Sequence, residues 1–365
     1  MTSIVTFGGS CPSATDGEIA AINLESARRR AWARFADDPS RPGVAEEILE
    51  QERLVLEFLG DLDALDRLDA LASQFGGVDQ SFRAALVHAD VASTVHRFDD
   101  ARGHLARAAL LDGPAETIER AILTIDQACG VELEAVLAAR QRAATSSGRS
   151  ADLVPLGAVL VDLERFGEAD AVYRQAFYSY DGMSPWPVAY ICFQLGMLWG
   201  ELMPAADPDV AALWYRRAIA YVPGYVRARV HLAEIYAGQD HSGDAATMLR
   251  PALSSGDPEV PWRLADLLTA QHRFEEAETQ LSAARSGFER LLGKYLLAFA
   301  DHAAEFYAGS GNDCRRALEL ARTNVRNRPT RRAVRQAQAI ATKCREEAAS
   351  DDGSAAGSDP HTIVQ

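Results

Sequence analysis

Small and large apolar residues recur along this chain in a fixed ladder. Ala89, Ala101, Leu105 and Ala108 are separated by 12, 4 and 3 residues, and so are Gly157, Ala169, Tyr173 and Ala176. The same steps join Ala233, Ala245, Leu249 and Ala252, and again Ala265, Ala277, Leu281 and Ala284. Steps of three and four keep apolar side chains on one face of a helix, whereas the step of 12 is long enough to cross a turn. Each ladder therefore predicts two helices, A and B. A six-residue phrase marks the turn between them: His96-Arg97-Phe98-Asp99-Asp100-Ala101 returns as Glu164-Arg165-Phe166-Gly167-Glu168-Ala169 and as His272-Arg273-Phe274-Glu275-Glu276-Ala277.

Helix A is predicted to end near Val95, Glu164, Gln239 or Gln271. Helix B begins at an acidic pair such as Asp99-Asp100 or Glu275-Glu276, where carboxylates meet the positive end of the helix dipole. It stops at Asp112-Gly113-Pro114, Pro223-Gly224, Asp257-Pro258 or Arg328-Pro329. Alanine or glycine lets the two helices approach closely, while Tyr173, Tyr215, Leu249 and Leu281 fill the space beside them.

A small residue late in helix A, alanine opening helix B, a large apolar residue one turn later and alanine again together resemble the tetratricopeptide repeat (TPR). That repeat is a helix–turn–helix unit of about 34 residues. The resemblance covers 83–114, 150–180, 189–224, 226–258 and 259–287, with weaker units at 45–75 and 298–329. The stretch 115–148 separates two well-patterned units and is read as a degenerate one. The unit at 189–224 carries three extra residues around Met203-Pro204-Ala205. The implied fold is an all-α, right-handed TPR-like superhelical solenoid of about seven to eight helix pairs with a C-terminal capping helix. Along the chain this gives a disordered segment 1–15, degenerate helical repeats over 16–148, a regular array over 149–329, a cap at 330–348 and a disordered tail 349–365. Within the first block, 18–37 reads as a single amphipathic helix with Trp32 and Phe35 on its apolar side, and Ser146-Ser147-Gly148 is a candidate hinge.

Composition adds limits. At 48% hydrophobic and 24% charged, the chain is an ordinary globular sequence, with no apolar run long enough to span a membrane and no signal-peptide pattern. Cys11, Cys129, Cys192, Cys314 and Cys344 are odd in number and scattered, which predicts free thiols and a cytoplasmic setting. A net charge of −15 argues against nucleic acid as a partner. Arginine supplies nearly all the positive charge, as a GC-rich bacterial genome would produce. It is concentrated near the C-terminus, where Arg328, Arg331, Arg332 and Arg335 are spaced to form a basic patch.

In a TPR-like array helix A lines the concave face. The resemblance then places Tyr190, Phe193 and Met197, then Arg227, Val230 and Glu234, then Glu259, Trp262 and Asp266 toward the groove. Glu201, Arg263, Asp301, His302 and Glu305 lie at its edges. Aromatic anchors ringed by arginine and carboxylate suit a peptide. The large residues Tyr173, Trp199, Trp214 and Tyr215 match structural positions instead. The family's lysine–asparagine clamp for a C-terminal carboxylate has no counterpart at these sites. Arg227 and Arg263 could hold a carboxylate, although Glu234 and Asp266 stand one turn away to neutralise them.

No phosphate-binding glycine loop, HExxH or CxxC occurs. His88, His96 and His104 recur every eight residues, which is not a helical metal-ligand spacing. The sequence thus predicts no catalytic, metal or cofactor site. It predicts a non-catalytic adaptor that binds a protein or peptide in its groove, with no membrane partner and no oligomeric state set by the pattern. The alternatives are a sensor that closes on a small peptide or metabolite and signals to an effector, and an accessory subunit or atypical enzyme of a biosynthetic pathway.

Overall fold

Capped turns cut the chain into a string of antiparallel helices, described for residues 11–355 in a computed structural model. In order these are α1 (Gly17–Asp37), α2 (Val44–Leu59), α3 (Ala64–Val78), α4 (Phe82–Thr94), α5 (Phe98–Leu110), α6 (Ala115–Cys129), α7 (Leu133–Ser147), α8 (Ser150–Asp162) and α9 (Phe166–Tyr178). There follow α10 (Pro185–Met197), α11 (Pro208–Tyr221), α12 (Val226–Gly238), α13 (Ser242–Leu249), α14 (Glu259–Ala270), α15 (Phe274–Ala308), α16 (Cys314–Asn327) and α17 (Arg331–Ala355). The fold is all-α, and consecutive helices pack on one another as in a TPR-like solenoid.

The repeated phrase folds the same way each time. His96, Glu164, Asp240 and His272 all take left-handed backbone, with φ of 58°, 61°, 62° and 60°. The following amide then donates back to the carbonyl five residues earlier: Arg97 to Ala92, Arg165 to Leu160, His241 to Tyr236 and Arg273 to Leu268. This satisfies carbonyls that the end of helix A would otherwise leave open. The phrase is a turn device, and His96 and His272 belong to it. Beside the turn, size is matched across the helix pair. A methyl group on Gly157 would sit 2.5 Å from Tyr173, and one on Gly196 would sit 2.5 Å from Tyr215. Where helix B carries leucine, as at Leu105 and Leu249, helix A carries Ala89 or Ala233.

The described residues form two compact units that part between Gly287 and Phe288, within α15. In the first, α1, α2 and α3 are joined by Glu52, whose buried carboxylate accepts from Arg28 (3.0 Å), Trp32 (2.8 Å) and Arg67 (2.8 Å). The helix expected at 18–37 is α1, with Phe35 buried. Across the Ser146-Ser147-Gly148 break, α7 packs on α8. The insertion in the 189–224 unit is absorbed by a π-helical turn, Leu198–Leu202, that extends α10.

The array does not stay open. The α1–α2 pair folds onto the central repeats, so Ala20, Leu24, Val55 and Phe58 share one apolar core with Phe177, Trp186, Phe193, Trp214 and Tyr225. The Phe58 ring lies 5.1 Å from Trp186 and 4.7 Å from Tyr225. Residues 11–15, expected to be disordered, lie on the same surface: Tyr221 donates to the Pro12 carbonyl, and the Thr15 amide donates to the Met183 carbonyl. Residues 1–10 fall outside the described region.

In the second unit, α15 leaves helical geometry at Tyr295 (φ −129°, ψ 45°) and α16 returns antiparallel to α17. Phe288 and Phe306 stack in its core, 4.9 Å apart. Cys314 and Cys344 form a disulfide here, which corrects the expectation of five free thiols. The physical reason is the hairpin: one cysteine opens α16, and the other lies at the matching height on α17. Cys11, Cys129 and Cys192 are not in disulfides. Helix α17 runs to Ala355, past the expected boundary at 348, because Arg345-Glu346-Glu347-Ala348-Ala349 are strong helix formers. The tail 356–365 lies outside the described residues. Among the described residues no helix is long and apolar enough to cross a membrane.

Candidate functional site

The residues expected to line the groove divide into those already covered and those still reached by solvent. Phe193 is fully buried; it touches Tyr215 (5.8 Å), Tyr225 (5.2 Å) and His231 (5.6 Å). Met197 and Trp262 are buried too, and the Arg263 guanidinium lies 3.7 Å from the Trp262 ring centre. Arg227 meets a carboxylate, as its position suggested, but the carboxylate is Glu57 of this chain. Its Nη1 donates to both Glu57 oxygens at 3.2 Å, and Tyr225 donates to the same group at 2.9 Å. Burial works against the Arg227 charge, but Glu57 outweighs it and holds the guanidinium above its ordinary pKa. The groove at this level is filled by α2. Glu57 was missed in the sequence because it lies 170 residues from Arg227 and belongs to one of the weaker repeats.

Arg263 is neutralised as its neighbours implied: it pairs with Glu234 at 2.6 Å and with Asp266 at 3.9 Å. Glu234 also meets His231 Nδ1 at 3.0 Å, and Glu201, from the π-helical turn, meets the same nitrogen at 2.9 Å. The imidazole lies flat against Tyr215, ring centres 5.6 Å apart. Burial disfavours a charged imidazole here, yet hydrogen bonds to Glu201 and Glu234 prevail and raise its pKa to about 9. His231 was not among the expected site residues, although His231-Leu232-Ala233-Glu234 carries an i,i+3 donor spacing.

Tyr190 remains half-buried and looks into an open cleft of about 950 Å³. Its hydroxyl pKa is pushed up to about 12 by burial and then by Glu57. Leu49, Leu54, Phe58 and Leu86 supply the apolar lining of this cleft, with Glu46, Glu50, Arg53, Glu57, Asp90 and Arg120 around it. It lies among α2, α4, α5 and α6, and of the expected groove residues only Tyr190 reaches it.

In the second unit His302 is partly exposed, 3.9 Å from Asp301. Arg328 turns inward to Asp301 at 3.0 Å, whereas Arg331, Arg332 and Arg335 are exposed on α17. Cys192 is buried, and burial pushes its thiol pKa well up, which leaves it inert. His88 and His104 stack 4.9 Å apart, and burial lowers both pKa values.

This architecture is shared with solved TPR proteins. Cut9, from the APC/C hetero-tetramer Cut9–Hcn1, superposes with a TM-score of 0.50 at 14% identity, covering 74% of this chain and 52% of that one. The chain thus spans about half the length of that neighbour. A tetratricopeptide repeat protein from Parabacteroides merdae matches with a TM-score of 0.40 at 14% identity over 72% of this chain and 99% of that one. Human IFIT1 with m7Gppp-AAAA gives 0.40 at 16% over 86% and 74%. No protein-family model matches the sequence, and no curated protein matches it. The structural neighbours are TPR proteins, and the fold of this chain is the TPR-like array.

Proposed function

We propose that the chain is a non-catalytic protein-interaction scaffold that receives a peptide or partner helix in the cleft among α2, α4 and α6. The observation that carries this reading is the cleft itself: about 950 Å³, apolar at its base, and rimmed by four carboxylates against two arginines. Apolar anchoring inside a charged rim is how helical grooves take an amphipathic segment. Glu46 pairs with Arg83, Asp90 with Arg53 and Glu57 with Arg227, so the rim is largely neutralised and the apolar lining supplies the anchoring. Cut9 is an array of the same fold solved together with Hcn1, which supports the general role. The residues first expected to bind, Phe193 and Trp262, lie inside the protein and serve packing in this reading.

Affinity capture with the Leu54→Arg and Tyr190→Ala variants beside wild type tests the proposal. Both positions are half-buried and face the cleft. Loss of a specific partner from both variants, with folding retained by circular dichroism, is the expected outcome. Equal recovery from all three would refute it. A cleft that instead takes a small metabolite would return no protein partner and would show a ligand-dependent rise in melting temperature.

A further inference from the structure

We propose that Glu201, His231 and Glu234 form a binding site for one divalent transition-metal ion of the manganese-to-zinc series. The site is distinct from the cleft and does not depend on that reading.

The geometry carries the assignment. His231 and Glu234 lie one turn apart on α12, so both side chains leave the same face. The π-helical turn after α10 brings Glu201 to the same imidazole nitrogen that Glu234 meets. Ions of this class bind nitrogen and carboxylate oxygen at about 2.1 Å. Two neighbouring ligands at a right angle are then about 3.0 Å apart, the edge of an octahedron. The two nitrogen–oxygen edges here measure 2.9 and 3.0 Å, and all three ligand atoms lie within 4.8 Å of one another. One imidazole and two carboxylates would supply three ligands, leaving the remaining positions to water or to a donor from a bound molecule.

Without an ion, two acceptors share one donor. A single Nδ1–H points along one direction, yet two carboxylate oxygens face that nitrogen at nearly equal distance. A cation accepts lone pairs from all three atoms at once. It replaces the Nδ1 proton and its hydrogen bonds; the proton passes to water and the ring keeps its proton on Nε2. The surroundings are of the kind that support metal ligands. Arg263 holds Glu234 through its other oxygen, Oε1, at 2.6 Å and leaves Oε2 toward the imidazole. Tyr215 and Phe193 fix the plane of the ring. Glu201 and Glu234 keep 37% and 32% of their side-chain surface in water, so the ion has a way in. The donor set excludes soft copper(I), which needs sulfur, and is too poor in oxygen for calcium.

Calorimetric titration of the tag-free full chain with Zn2+ tests the site, with Co2+ as the spectroscopic probe. The expected result is one ion per chain and a visible Co2+ absorption band. His231→Ala and Glu201→Gln should each weaken Zn2+ binding by about 10- to 100-fold. Glu201 is exposed, so Glu201→Gln decides the matter even where His231→Ala fails to fold. Cys11 is an exposed thiol, so each titration is repeated with Cys11→Ser. Wild-type affinity in Glu201→Gln, or binding that disappears only with Cys11→Ser, would overturn the proposal.

Discussion

At the scale of single residues, the repeat works by pairing volumes. Gly157 meets Tyr173, and Gly196 meets Tyr215, because the aromatic ring occupies the space where a methyl would stand. Adding that methyl forces the ring or the helix to move, and overpacking of this kind costs about 1–3 kcal/mol. Gly157→Ala should lower stability by that amount in urea unfolding, and Tyr173→Leu should restore part of it by recreating the alanine–leucine pair of the other units. Additive losses in the double variant would show that the two side chains are not matched. The size alternation was legible in the sequence, since glycine and tyrosine co-occur at equivalent positions. The burial of Phe193 and Trp262 was not, because a large apolar residue facing a groove reads alike whether a partner or the chain itself covers it. Truncating either to alanine would open a cavity costing about 3–5 kcal/mol, and lost capture by such variants would report unfolding.

At the scale of elements, the turns were the most legible feature. The three copies of the phrase, and Asp240 at the equivalent turn, adopt left-handed backbone, and the hydrogen bonds around them are the same. The disulfide was opaque for a complementary reason. Cys314 and Cys344 are 30 residues apart, and nothing in their spacing says that α16 and α17 run back to back at matching height. Closing a loop of that length restrains the unfolded chain by about 3.5 kcal/mol in the chain-entropy view. Reductant, or Cys344→Ser, should therefore loosen the second unit selectively. Hydrogen exchange in α16 and α17 should quicken while α8–α13 stay unchanged; uniform exchange in both states would count against it.

At the scale of the whole array, the decisive contact is the one the repeat pattern could not contain. An array built from neighbours alone has contacts about one repeat apart, yet Glu57 meets Tyr225 and Arg227 at separations of 168 and 170 residues. Glu57→Ala would leave the buried Tyr225 hydroxyl without that partner and weaken the hold on Arg227. An unsatisfied buried group costs about 1–3 kcal/mol, so Glu57→Ala should destabilise the central repeats. A change below about 0.5 kcal/mol would mean that the α2 contact is incidental.

Because α1 and α2 lie across the middle of the first unit, that unit has no loose leading edge from which to unzip. A linear stack frays from its outermost members inward, each departure exposing the next. Here α1 and α2 find part of their seat only once α10–α12 are present.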